Sequence, residues 1–373
     1  LEHNFERATA MLTTLAVSVD QRAPMSTLHL IDGSSYFYRA FHAHPKWTSP
    51  AGEPTGAIFG VVLMLKRWLQ EQQPEHIAFV FDASGGSFRN QIFPDYKAHR
   101  PPMPDELRAQ LEPLLKLVEA MGLPVLRIAG VEADDVIGTL AKQAEASGMK
   151  VLISTSDKDL MQLVSSQVTW INTMSQERLD TEGVVRKFGV RPDQIRDFLA
   201  LMGDKVDNIP GVAKCGEVTA AKWLKEYGSL ESVIAHASEI GGKIGENLRA
   251  VLEQLPISKQ LSTIKLDVEL PTTPAQLKRK HADVDALRSF YKRFDFRQFL
   301  SELDGAPANS EPRRARATPG GAFAPPEPSA KVLSETRDYR CVDSWPAFDA
   351  MLLELEGAEL IAFDSETDAL DAH

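Results

Sequence analysis

The chain has 373 residues, 43% of them hydrophobic, and a formal net charge of -11. That length allows a sizeable core and two or three domains, and the acidic total excludes a uniformly basic nucleic-acid coat while leaving room for a local basic surface. Its two cysteines, Cys215 and Cys341, lie too far apart to suggest a disulfide framework, and no apolar run approaches the roughly 20 residues of a membrane span, so a soluble, cytoplasmic protein with no membrane partner is expected.

The stretch "ATAMLTTLAVSV" after Arg7 is apolar like a short signal-peptide core but lacks a small-residue cleavage site. Met25 precedes the first regular pattern, so residues 1–24 are expected to be an extension outside the fold. Five β-branched or apolar runs follow: "TLHLI" at 27–31, "HIAFVF" at 76–81, "PVLRI" at 124–128, "KVLIS" at 150–154 and "VTWIN" at 168–172. Amphipathic stretches such as 56–72 and 105–121 lie between them, an alternation that predicts an α/β domain with a mainly parallel sheet over 25–190. From 191 to 304 the pattern is helical, beginning with "PDQIRDFLALMG". Residues 305–331, rich in Pro, Ala and Gly, read as a flexible linker, and 332–373 read as the start of a second α/β unit too short to build its own core.

Acidic residues fall at telling places in this pattern. The first run ends on Asp32, the second on Asp82, and the fourth leads into Asp157 and Asp159. The carboxyl ends of parallel strands line one edge of an open sheet, where ligands bind, so these four acids are expected to converge. Singly, each is explained by helix capping, as Asp32 before "GSSYFYRAF" would be. "VEADDVIGTLAKQAEASG" adds Glu132, Asp134 and Asp135, and "LALMGDKVDNIPGV" adds Asp204 and Asp207. Acids in a first helical turn suit the helix dipole, and at about 100° per residue Glu132 and Asp135 should share a face with Asp134 pointing elsewhere.

Nine gathered carboxylates without a His or Cys cluster raise one another's pKa values unless cations bind, and all-oxygen ligation suits Mg2+ or Mn2+. Two such ions roughly 4 Å apart support phosphodiester hydrolysis by activating water and stabilising the leaving oxygen.

The segment after Asp82, "ASGGSFRNQIFPDYKAHRPPMPDEL", interleaves Arg89, Lys97 and Arg100 with Phe88, Phe93 and Tyr96. Cations for phosphates and aromatic faces for bases are the components of a single-strand binding element, although a solvated loop with core aromatics has the same composition. In "NIPGVAKCGEVTAAKWLKEYGSL", Gly211 and Gly216 bracket a turn before a helix whose first amides could grip a phosphate.

Together, "LIDGSSYFYRAFHA", "VFDASGGSFRNQIFPDYKAHRPPMPDELRAQ", "GVEADDVIGTLA", "LISTSDKDLMQLV" and "DFLALMGDKVDNIPGV" resemble the flap endonuclease family, which includes the 5' nuclease region of bacterial DNA polymerase I, over roughly residues 26 to 300. The resemblance implies a PIN-like, Rossmann-like α/β fold with a helical arch, followed by a helical subdomain containing a helix-hairpin-helix. It implies a site for two Mg2+ or Mn2+ ions built from Asp32, Asp82, Glu132, Asp134, Asp135, Asp157, Asp159, Asp204 and Asp207, with Asp134 and Asp135 central to catalysis. Segment 83–104 would be the arch passed by a 5' single strand, where Lys97 stabilises charge on the scissile phosphate, Arg100 holds it, Tyr96 stacks on a base and Arg89 adds positive charge. Segment 208–224 would hold duplex backbone through Gly211, Lys214, Gly216 and Thr219, with K+ at the hairpin. The implied partner is DNA carrying a 5' flap or nick, or RNA-primed DNA, bound by a monomer at the bacterial nucleoid. A catalytically silent flap-binding module is the alternative, and a PIN-type ribonuclease would lack "YKAHRPPMP" and the hairpin.

Three positions depart from the family pattern: Val218 stands where a basic residue is common, Lys214 where Gly is common, and Ser156 where Gly is usual. Near the end, "IAFDSETDAL" carries Asp364 and Glu366 in the Asp-x-Glu pattern that opens 3'-5' proofreading exonuclease domains.

Overall fold

The computed structural model describes residues 26–304 other than Pro45. The expected extension at 1–24, the linker at 305–331 and the unit at 332–373, with Asp364 and Glu366, lie outside the described residues.

In chain order, β1 (Thr27–Asp32) leads directly into α1 (Gly33–Ala43), followed by α2 (Gly56–Gln72), β2 (His76–Val80), the short α3 (Phe88–Ile92) and α4 (Asp105–Ala120). Next come β3 (Val125–Leu126), α5 (Ala133–Ala146), β4 (Lys150–Ser154), a 3-10 turn at Asp159–Leu163, β5 (Val168–Asn172) and β6 (Glu177–Leu179). The rest is helical: α6 (Thr181–Phe188), α7 (Ile195–Met202), α8 (Glu217–Tyr227), α9 (Leu230–Ala235), α10 (Gly242–Arg249), α11 (Leu255–Ser262), α12 (Val284–Arg293) and α13 (Arg297–Leu303).

The five apolar runs form five parallel strands, and the sheet order is β3-β2-β1-β4-β5-β6. Their near-continuous apolar character follows from burial on both faces. Successive side chains alternate between two cores: Leu28, Leu30, Ala78 and Val80 pack with α5 and the later helices, whereas Ile31, Ile77 and Phe79 pack with α1, α2, α4 and α13. β6 escapes the sequence reading because "ERL" is short and charged; it pairs antiparallel with β5 through a tight turn in which Gln176 has φ 56°.

β1 lies between β2 and β4, so the chain order reverses direction there, and such a switch point leaves a crevice beyond the strand ends. Register sets what faces that crevice. Asp32 pairs with Val80 and Ile31 with Ser154, so Asp82 and Asp157 emerge from the same edge just beyond their strands. Among the described residues, no helix is long and apolar enough to cross a membrane.

Candidate functional site

Seven acids from this edge line one cleft of about 380 Å³: Asp32, Asp82, Glu132, Asp134, Asp157, Asp159 and Asp207. Asp32 is both the last residue of β1 and the cap of α1. Its Oδ1 accepts the Ser35 N–H at 2.9 Å, and its Oδ2 accepts the Thr155 hydroxyl at 2.6 Å. Capping and convergence therefore describe one residue. Asp82 accepts the Ala133 N–H at 2.8 Å and the Ser34 hydroxyl at 2.7 Å. Asp157 accepts the Asp159 N–H at 2.9 Å. Asp134 accepts no hydrogen bond among the described residues, and Asp159 Oδ1 is buried without a partner.

The cations sit at the lip. Lys97 Nζ donates to Glu132 Oε2 at 2.9 Å and lies 3.7 Å from Asp207, and Arg100 pairs with Asp207. Lys97 has φ 58°, a left-handed conformation that costs a non-glycine residue of order 1 kcal/mol and is tolerated where surroundings fix it. Its N–H is held by the Asp207 carbonyl at 2.9 Å, which ties the 93–100 segment to the loop after α7.

Charge divides the acids into two groups. Burial pushes Asp32 up to about 7, against the help of its hydrogen bonds and with Asp157 and Asp82 adding to the rise. Burial also raises Asp134, reinforced by Asp157, Asp32 and Asp82, and it raises Asp157 and Asp159. For Glu132 burial acts in the same direction, but Lys97 and Arg89 outweigh it and hold the carboxyl below its usual range. The deep acids thus resist ionisation for want of compensating charge, while Glu132 at the lip is matched. Among the described residues no group of three acid, His or Cys side chains closes into a ligand set of its own. Any ion here needs water or substrate oxygens to complete its shell, as Mg2+ prefers.

Two family models match the chain: "5'-3' exonuclease, N-terminal resolvase-like domain" over residues 27–189 and "5'-3' exonuclease, C-terminal SAM fold" over 190–285. A 5'-3' exonuclease of Aquifex aeolicus is 39% identical over 75% of this chain and 96% of its own length. The chain belongs to the 5'-3' exonuclease family. DNA polymerase I of Pseudomonas aeruginosa is 47% identical over 92% of this chain, which spans only 37% of that relative. Among solved structures, the T5 D15 protein co-crystallised with metal ions matches with a TM-score of 0.55 at 20% identity, over 75% of this chain and 98% of its own. The catalytic core of Rad2 in complex with DNA substrate matches with a TM-score of 0.52 at 17% identity, over 75% of this chain and 92% of its own. At these identities the solved structures establish the shared fold.

Several expected site residues are placed differently by the structure. Asp135 is fully buried and does not line the cleft: its oxygens accept both Arg89 terminal nitrogens at 2.8 Å, the Lys265 N–H at 2.9 Å and the Glu132 N–H at 3.0 Å. Glu132 and Asp135 meet across Arg89, as helical spacing implies, with Arg89 Nη1 at 3.7 Å and 2.8 Å, but Glu132 is the N-cap, with φ -93° and ψ 161°, and its carboxylate also lines the cleft. Glu132 and Asp134 therefore share the cleft. Arg89 is 3% exposed, and besides Asp135 it donates to the carbonyls of Leu261 at 2.8 Å and Thr263 at 3.0 Å. It clamps the base of the arch and also lines the cleft. Tyr96 is 4% exposed, with its ring packed on Ile209 and Leu261 and its hydroxyl on Glu132, so it presents no open face to a base. Asp204 spends Oδ1 on the N–H groups of Val206 and Asp207 at 2.7 and 3.2 Å, shaping the loop that presents Asp207.

The helix of the arch extends only over α3, and turns carry the rest to Arg100. In the hairpin, Gly211 is required by packing: a Cβ there would lie 2.4 Å from the Met202 carbonyl oxygen. Lys214 and Gly216 are exposed, Thr219 is half-buried, and Val218 is 85% exposed. Sequence reasoning missed Arg39, Ser34, Ser35 and Tyr38, which α1 brings to the cleft. Their i, i+1, i+4, i+5 spacing after Asp32 marks one helical face and was the available signal. Arg39 lies 4.7 Å from the Tyr36 ring, with Nε and Nη1 buried and unpartnered.

Replacing Arg89 by Met strands Asp135 as a buried, unpaired charge, and urea denaturation is expected to show a loss of about 3–5 kcal/mol. A loss below about 1 kcal/mol would contradict the assigned role.

Proposed function

We propose that the chain is a structure-specific 5' nuclease that hydrolyses DNA phosphodiesters at 5' flaps and nicks, clearing RNA primers and damaged ends as the N-terminal part of DNA polymerase I. The observation that carries this reading is the convergence of seven carboxylates, four with pKa values raised by burial, on a cleft whose lip bears Lys97 and Arg100. The donors are all oxygen, and the orphaned Asp159 Oδ1 and unbonded Asp134 fit divalent cations of the Mg2+ or Mn2+ type. Two such ions would be held by Asp32, Asp82, Asp134, Asp157 and Asp159, with Glu132 and Asp207 acting from the lip. When bound, they supply an activated water and stabilise the departing oxygen.

The chain's own side chains do the rest. Lys97 and Arg100 neutralise a phosphate entering the cleft, exchanging Glu132 and Asp207 for it, and Arg39 offers its unpartnered nitrogens from the floor. Asp135 acts by holding the start of α5, and Tyr96 by fixing Glu132 and Asp207. The hairpin turn at 211–216, exposed at Ala213, Lys214 and Gly216, and the N-terminus of α8 take duplex backbone, with K+ there, in a monomer acting at the bacterial nucleoid. These contacts read phosphate and shape, so selectivity follows DNA structure more than sequence. The metal-bound T5 D15 protein and the DNA-bound Rad2 core, which share the fold, support the reading.

Incubated with Mg2+ or Mn2+, the chain is expected to cut a labelled 5'-flap duplex near the junction. Asp134→Ala should lower the rate by on the order of 10³-fold with flap affinity changed only a few-fold. A wild-type chain that leaves the flap intact would overturn the proposal.

Mg2+ stabilisation should also depend on pH. The unfolded chain releases the Asp32 proton near 3.8 and the folded chain near 7, so stability falls as pH rises through that window. Cations that bind the ionised cluster reverse that loss. The melting temperature should therefore rise more on adding Mg2+ at about pH 8 than at about pH 5. An equal or opposite response would show that the acids do not form one cation site.

A further inference from the structure

We propose that the Thr155 hydroxyl is a positioning group for the metal-binding acids, fixing Asp32 and Asp157 relative to each other so that both address the same cleft. The inference rests on the nuclease reading above and concerns a residue that touches neither substrate nor the cleft: Thr155 is 1% exposed and is not among the cleft-lining side chains.

Its backbone extends the pairing of β4 with β5, because its N–H donates to the Ile171 carbonyl at 3.0 Å. The side chain is therefore anchored to the sheet. Thr155 Oγ1 accepts the Asp157 N–H at 2.9 Å and donates to Asp32 Oδ2 at 2.6 Å. With Asp32 ionised, the form that binds a cation, the direction is forced by the groups involved. An amide N–H can only donate, and an ionised carboxylate can only accept, so one hydroxyl satisfies both by using its lone pair for one and its proton for the other.

The consequence reaches three acids at the ends of two strands. Asp32 has its other oxygen held by the Ser35 N–H at 2.9 Å, so with Thr155 in place neither oxygen is free to rotate away. Asp157 passes the constraint on, since its Oδ1 accepts the Asp159 N–H at 2.9 Å. The β-branched threonine adds rigidity, because its methyl group restricts χ1 where serine would be freer. Valine keeps that shape but removes both hydrogen bonds, leaving the Asp157 N–H without an acceptor and Asp32 Oδ2 without a donor.

The test compares Mn2+ binding by isothermal titration calorimetry on the full chain, below the melting transition of each variant. Thr155→Val should weaken Mn2+ binding about 10-fold or more, the scale on which groups that orient metal ligands act. Thr155→Ser, which restores the hydroxyl, should stay within about 3-fold of wild type, and Thr155→Cys, a weak donor of similar size, should fall between and replaces Val if Val does not fold. Wild-type cleavage of a 5'-flap substrate is measured alongside. A wild-type chain that cuts, paired with a Val or Cys variant that binds Mn2+ as tightly as wild type, would overturn the positioning role while leaving the nuclease reading intact. So would a Ser variant as weak as Val, since that would assign the effect to packing. A wild type that does not cut would instead count against the reading on which this inference rests.

Discussion

Like-charge repulsion at the carboxyl edge of the sheet is the constraint around which this molecule is arranged. Four carboxyls, Asp32, Asp134, Asp157 and Asp159, are brought into one cleft with their pKa values raised and, among the described residues, without a cation in ion-pair contact. A fold gains nothing from such crowding, since each ionised acid opposes the others and loses hydration. The same chain shows that it can neutralise acids where it needs to. Asp135, one residue from Asp134, is matched by Arg89 inside the core, and Asp207 by Arg100 at the lip. The division between matched and unmatched acids is what the proposed cation site rests on.

Topology makes the crowding unavoidable. Because β1 lies between β2 and β4, the strand ends that carry Asp32, Asp82 and Asp157 are neighbours in any register that keeps the apolar residues on their two core faces. α5 then brings its first turn to the same edge through the Ala133 N–H bond to Asp82, 2.8 Å long. At Asp32 helix capping and acid convergence are one geometric fact, since the residue that ends β1 also caps α1.

Much of this was legible in the chain because it depends on local pattern. The five apolar runs, the turn from periodic strands to helices near residue 190, and the acids terminating three runs all follow from side-chain alternation and strand ends. The errors have a common cause. Arg89 reads as an exposed cation because nothing nearby in sequence reveals its partners, two of which, the Leu261 and Thr263 carbonyls, come from 172 and 174 positions away. Asp135 follows from Arg89, and Tyr96 is buried by Ile209 and Leu261, again remote in sequence. Glu132 meets Asp135 across Arg89, as the spacing implies, and reaches the cleft as well because it stands at the cap. β6 was missed because three residues with two charges carry no alternation.

Metal-free and Mn2+-soaked crystals of the chain, compared by anomalous diffraction, test the central claim most directly. The account predicts two strong peaks roughly 4 Å apart among Asp32, Asp82, Asp134 and Asp157. Absence of any peak in that cleft at saturating Mn2+, or peaks confined to outer acids such as Glu182 and Asp105, would contradict it.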